Sequence, residues 1–200
     1  IDGCVIGSIV NSVPFWALTK NPNVPQITNA AMLAPYSVAT FSAPSTAYTV
    51  QTEMFKEANL PTNIRQGAFG TLLPMLDTGN ADIALELEPN VSIAVANGAK
   101  VVYSDKYPDF TFTGITTSKK TIDEKPEIVQ HFINAITKAE KFAHEYPDSA
   151  AYYMAELYPD VNKNIIAQAI KRMVDSNTLP QNAVISPEAW KQAVALRHRM

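Results

Sequence analysis

The chain has 200 residues, 46% of them hydrophobic and 18% charged, an ordinary globular composition with enough apolar residues to bury a core. The formal net charge is −3 and there is no Lys/Arg run, which argues against a nucleic-acid-binding surface. No apolar run reaches the roughly 18 residues of a membrane span, and a single cysteine, Cys4, rules out an internal disulfide.

In chain order, Cys4-Val5-Ile6-Gly7 reads as a buried strand. Ile1-Asp2-Gly3-Cys4 has the outline of a lipoprotein cleavage site, but aspartate fits poorly there, and Cys4 reads better as a small core hydrophobe. Residues 8–18 are expected to open as a helix that Pro14 kinks or ends. Asn21-Pro22-Asn23-Val24-Pro25 is a turn, and 37–41 a second strand. A loop at 42–46 leads into a helix whose buried face is Ala47, Val50, Met54, Phe55 and Ala58, stopped by Asn59-Leu60-Pro61. A strand at 63–69 is followed by a short helix that Gly70-Thr71 opens and Thr78-Gly79-Asn80 closes. Residues 82–87 form a strand ending at Glu88-Pro89, then a helix at 90–96 stopped by Asn97-Gly98, then strands at 100–103 and 110–116.

After Ser118 the pattern is helical. Ile128, Val129, Phe132, Ile136, Ala139 and Ala143 form one apolar face, with Pro126 in the first turn. Tyr146-Pro147 begins the next helix. Asp160 is expected to cap the third, with Ile165, Ala169, Ile170 and Met173 inward, and Ser186-Pro187-Glu188 starts the last. Alternating strands and helices imply a mostly parallel sheet with helices on both faces, whose ligands lie beyond the carboxyl ends of the strands. That rule selects Gly7-Ser8, 42–46, 69–71 and Glu88-Pro89.

Catalytic signatures are missing. His131, His144 and His198 match no metal spacing, so no metal site is expected. There is no nucleophile elbow, Walker loop, dinucleotide fingerprint or Cys-x-x-Cys, and no cofactor is called for. Glu86 and Glu88 share a strand face and could form an acid–base pair, but one ligand-facing or solvent-facing glutamate is the simpler reading.

From Ser37 to Lys125 the sequence resembles the ABC-importer solute-binding proteins for nitrate, sulfonates, taurine and thiamine-precursor pyrimidines. The likeness rests on Val38-Ala39-Thr40-Phe41 before Ser45-Thr46-Ala47, on the run from Leu76 through Gly79 to Asp82-Ile83-Ala84, on Glu88-Pro89, and on Lys125-Pro126-Glu127-Ile128-Val129 with Phe132, Ala135 and Ala139-Glu140. The family usually has an aromatic residue where Leu87 stands, and more chain before the strand at Cys4, so the resemblance implies a piece of a longer protein.

The resemblance implies a two-lobed α/β fold of the type II periplasmic-binding-protein kind. Lobe 1 would be 1–36 with 113–200, and lobe 2 would be 37–112. It implies an extracytoplasmic monomer, periplasmic or anchored as a lipoprotein through Cys4, that captures a small polar organic solute and hands it to a membrane ABC permease. The ligand groups would be Gly7, Ser8, Ser45, Thr46, Gly70, Thr71 and Glu88. Ser45, Thr46, Gly7-Ser8 and Gly70-Thr71 would offer backbone N–H groups and hydroxyls to an anionic or polar group, or else serve as plain helix caps. Two enzyme classes share the scaffold. Pyrimidine synthases need a cysteine cluster that one cysteine cannot supply; small-molecule lyases remain the alternative. An effector domain of a transcription regulator is a third reading, without a DNA-binding helix pair to support it.

Overall fold

A computed structural model describes residues 2–61, 64–104 and 109–198. Ile1 of the cleavage-site reading and Asn63 of the strand expected at 63–69 lie outside the described residues. The chain forms two compact units, Ile1–Pro14 with Lys106–Arg199, and Phe15–Asp105.

The second unit is built on a five-stranded sheet in the order β4-β3-β5-β2-β6. Its strands are β2 (Trp16–Thr19), β3 (Val38–Phe41), β4 (Ile64–Gly67), β5 (Ile83–Glu86) and β6 (Lys100–Ser104). β3 pairs in parallel with both β4 and β5, while β2 runs antiparallel between β5 and β6. Three helices connect them: α1 (Thr46–Glu57), α2 (Leu72–Asp77) and α3 (Asn90–Ala96). Leu18, Val38, Phe55, Leu72, Ile83, Val91 and Val102 are fully buried among them.

The helix expected at 8–18 is therefore wrong. Pro14 separates two extended segments, and every residue of Trp16-Ala17-Leu18-Thr19 is buried, as a strand covered on both faces requires. The same strand explains why the compact units divide differently from the expected lobe borders at 36/37 and 112/113. With β2 paired on both edges, residues from Phe15 onward fold with the second sheet.

Asp82 secures the start of β5. Its carboxylate accepts from the Ser37 amide at 2.9 Å and the Ser37 hydroxyl at 2.7 Å, and its carbonyl accepts from the Thr19 hydroxyl at 2.6 Å. Burial raises the Asp82 pKa, but the Ser37 bonds and one from Asn21 outweigh it and hold the group below its ordinary 3.8. A lowered folded pKa gives stability that is present above the unfolded value and lost as pH falls through the folded one. Asp82→Asn is expected to cost about 1–2 kcal/mol near neutral pH and to flatten the acid limb of a denaturation series. An acid limb unchanged in the variant would show that Asp82 does not carry it.

The first unit holds a two-stranded antiparallel ribbon, β1 (Gly3–Val10) with β7 (Thr113–Ser118), so the mostly parallel arrangement belongs to the other unit. β1 is longer than the sequence suggests and less buried. Cys4 is half-buried, Val5 is exposed, and only Gly7 and Ser8 are buried. β7 begins three residues later than the expected strand at 110, because the Phe110 and Phe112 amides bond to Asn11 and Val10 ahead of the ribbon.

Five helices follow: α4 (Lys119–Glu124), α5 (Pro126–Glu145), α6 (Pro147–Leu157), α7 (Lys163–Asp175) and α8 (Pro187–His198). Two details differ from the sequence reading. Asn162, not Asp160, caps α7, its side chain accepting from the Asn164 amide at 2.8 Å. The expected apolar face of α5 is rotated: Ala143 and Glu140 are buried, whereas Ile128, Phe132 and Ala139 are exposed. α6 and α7 pack through Ala151, Ala155 and Ile166.

Candidate functional site

Three of the sequence-selected loops converge in the second unit. β4, β3 and β5 are adjacent and parallel, so the segments leaving their carboxyl ends form one rim. β3 ends at Phe41 and leads to Ser45-Thr46; β4 ends at Gly67 and leads to Gly70-Thr71; β5 ends at Glu86 and leads to Glu88.

Ser45 caps α1. Its hydroxyl accepts from the Tyr48 amide at 3.1 Å and donates to the Phe41 carbonyl at 3.1 Å. Thr46, the first helical residue, is half-buried beside it. The loop is anchored across the rim: the Ser42 amide donates to the Gly67 carbonyl at 3.1 Å, and the Ala43 amide to the Gln66 side chain at 3.0 Å.

Gly70 takes φ +83° in the turn from β4, a conformation that suits a residue without Cβ. Thr71 is exposed, and its hydroxyl donates to the Ala68 carbonyl at 2.8 Å, closing the turn. The six residues of α2 offer little helix to support a ligand. Gly67 permits the turn: a Cβ there would lie 2.6 Å from the Thr71 hydroxyl oxygen.

Glu88 bends back onto its own helix. Its carboxylate accepts from the Ser92 amide at 3.1 Å and the Ser92 hydroxyl at 3.0 Å, capping the first turn of α3. Glu86, two residues earlier, is fully buried. One of its oxygens accepts from the Leu87 amide at 3.0 Å and the Asn90 side chain at 3.2 Å; the other has no hydrogen-bond partner. Burial pushes the Glu86 pKa up, against the pull of those two donors. Of the two glutamates, Glu86 carries the unused acceptor, which period-two reasoning did not single out.

Aromatic surface also appears where sequence reasoning did not place it. Leu87 stands where an aromatic was expected, but Phe69 stacks on Phe41 with ring centroids 5.0 Å apart and is 73% exposed. The signal was present as an aromatic directly before Gly70, without a pattern to give it meaning.

Gly7 and Ser8 lie elsewhere, inside β1 of the first unit and not in a strand-to-helix loop. A Cβ on Gly7 would meet Ile133 at 2.9 Å. The Ser8 amide donates to the Ala183 carbonyl at 3.0 Å, and its hydroxyl bonds to the Asn11 side chain at 2.5 Å. Both residues are tied into packing. Among the described residues, no group of His, Cys, Asp and Glu is arranged to hold a metal ion, and no helix is long and apolar enough to cross a membrane.

Residues 103–150 match the family model described as NMT1/THI5 like. No curated protein matches the chain in sequence. Among solved structures, the chain is similar to the periplasmic aliphatic sulphonate binding protein SsuA from Escherichia coli. The TM-score is 0.73 at 15% identity, over 99% of this chain and 63% of that one. It is similar to the alkanesulfonate-binding protein SsuA from Xanthomonas axonopodis pv. citri bound to MOPS, with TM-score 0.75, 13% identity and coverage of 99% and 68%. It also matches a mutant of DSZB in complex with biphenyl-2-sulfinic acid, with TM-score 0.64, 13% identity and coverage of 99% and 72%. The chain thus spans just under two thirds of the length of the E. coli protein. Two sheets, the helical tail and the matched segment together give this chain the two-lobed α/β fold of the periplasmic solute-binding proteins, with an NMT1/THI5-like segment at residues 103–150.

Proposed function

We propose that this chain is the solute-gripping part of an extracytoplasmic binding protein that delivers a small organic oxyanion, a sulfonate or a compound of similar charge, to a membrane ABC permease. The observation that carries the reading is the rim of the second unit, where three loops leave adjacent parallel strands beside the exposed ring of Phe69. The start of α1 supplies the positive end of a helix dipole, which favours an anion without a buried cation from the protein. Phe69 on Phe41 supplies an apolar wall for the organic part. The solved relatives with this fold include proteins described as sulphonate- and alkanesulfonate-binding, and those descriptions supply the ligand class.

In this reading the two compact units act as the two lobes, and Ser45, Thr46, Gly70 and Thr71 line the grip. Glu88 shapes the first turn of α3, and Gly7-Ser8 stiffens the ribbon of the other unit. The protein acts as a monomer and binds without turnover.

Ser45→Ala combined with Thr46→Val should weaken sulfonate binding by roughly 1–3 kcal/mol. Because Ser45 caps α1, the same change should also lower stability by about 1 kcal/mol. Calorimetry on the complete protein separates the two effects, since a folded variant titrated well below its melting temperature reports affinity alone. Unchanged affinity in the folded double variant would place the ligand off this rim.

A further inference from the structure

The first unit contains a cavity of about 380 Å³ between the β1–β7 ribbon and α8. Its position follows from three contacts. The Ser186 hydroxyl caps α8 by accepting from the Ala189 amide at 3.0 Å, the Trp190 amide bonds to the Ser186 carbonyl at 3.0 Å, and the Thr111 amide donates to the Ala189 carbonyl at 3.4 Å. Trp190, Ala193, Val194 and Arg197 then follow the three-and-four spacing of one helix face, and all four line the cavity. The opposite wall comes from one face of the ribbon. Val5 pairs with Thr116 across the strands, Gly114 lies two residues before Thr116, and each of these lines the space.

The surfaces do not close on one another. Trp190 is 45% exposed, and Val194 and Val5 are each 37% exposed, so these large apolar side chains border a concavity. Gly114 helps keep it open, since a Cβ there would come within 2.8 Å of a Val5 methyl. Polar groups stand at both ends. Thr111 is only 7% exposed, and its hydroxyl has no hydrogen-bond partner. Arg197 and His198 lie at the far end of α8, and no carboxylate is among the described residues that line the cavity. Eight residues of helix separate Ala189, beside Thr111, from Arg197, a span of about 12 Å at the usual helical rise.

We propose that this cavity is a second binding site, distinct from the rim, for a flat aromatic carboxylate with a hydrogen-bonding group at its far end. The carboxylate meets Arg197, the ring lies against Trp190 and Val194, and the distal group satisfies the Thr111 hydroxyl. An apolar cavity with a cation at one end and an orphaned hydroxyl at the other selects for length and charge together.

The test uses 4-hydroxycinnamate as the probe, with cinnamate and 4-hydroxycinnamamide as partners that each lack one polar end. Calorimetric titration of the complete protein should show 4-hydroxycinnamate binding at least about fivefold more tightly than either, the worth of one polar contact. Thr111→Val should erase the preference over cinnamate, and Arg197→Gln the preference over the amide. Both variants should leave sulfonate binding at the rim unchanged. Thr111→Val should fold at least as well as the parent, because it removes an unpaired buried hydroxyl, so lost binding there is not lost structure. The proposal is overturned if 4-hydroxycinnamate does not bind, if it shows no preference over both partners, if its affinity survives both variants, or if Ser45→Ala abolishes its binding and so moves it to the rim.

Discussion

Glu140→Gln should make the protein more stable above neutral pH and remove most of the pH dependence between about pH 5 and 8. Glu140 sits on the buried side of α5, 4% exposed, and neither carboxylate oxygen has a hydrogen-bond partner. Burial alone raises its pKa from 4.5 to about 7. The folded state therefore holds a proton that the unfolded chain releases at lower pH. The contribution is fully present below the unfolded value and is lost as pH rises through the folded one. Ionised at pH 8, the group costs roughly 2–3 kcal/mol, since each tenfold change in proton affinity corresponds to about 1.36 kcal/mol. Gln keeps the volume and removes the charge. For a chain of this size the gain corresponds to a rise of roughly 4–10 °C in Tm at pH 8, with little change at pH 5. Parallel thermal melts of the two proteins between those pH values check it, and identical pH dependence would show that Glu140 finds a partner in solution.

Leu18→Ala should be among the most damaging single changes in the chain, with a loss of about 3 kcal/mol or more. Leu18 is fully buried in β2, which pairs with Ala84 of β5 on one side and Val101 of β6 on the other. Truncation removes the transfer energy of the side chain and leaves a cavity in the middle of the sheet. In an amphipathic helix over 8–18, the exposed neighbour Lys20 would mark a solvated turn nearby and Leu18 would be close to a frayed end, where the same change costs little. Denaturant midpoints therefore distinguish the strand from the helix. A loss under about 1 kcal/mol would contradict the central position of β2.

These two sites show why parts of the fold were legible in the sequence and others were not. α3 was readable to the residue, because Pro89 precedes it and Gly98, at φ +87°, follows it. β3, α1 and β5 were readable from periodicity and turn residues, and with them the rim at Ser45, Gly70 and Glu88. β2 was not, because Trp16-Ala17-Leu18-Thr19 is an unbroken run that periodicity cannot assign to strand or helix. Only its pairing with β5 and β6, far along the chain, decides the matter.

The face of α5 failed for a related reason. Ile128 and Phe132 fit a hydrophobic stripe, yet Glu140 is the side chain that turns inward. A charged residue on the buried side of a helix contradicts the pattern from which such stripes are read. At the rim, residue type and position were visible, but hydrogen-bond use was not. Glu88 looked like the ligand's acceptor and is taken up by Ser92, while Glu86 keeps an unpaired oxygen. Local capping competes for side chains of this kind, and no one-dimensional pattern records which of two neighbours it takes.

Solute binding at the rim is tested most directly by a calorimetric titration of the complete protein with an alkanesulfonate series, followed by mass analysis of the recovered ligand. The expected result is saturable binding of one sulfonate per protein, weakened about tenfold or more by Ser45→Ala with Thr46→Val, with the ligand recovered unchanged. Release of sulfite or another cleavage product, or no binding of any sulfonate by the folded protein, would contradict it.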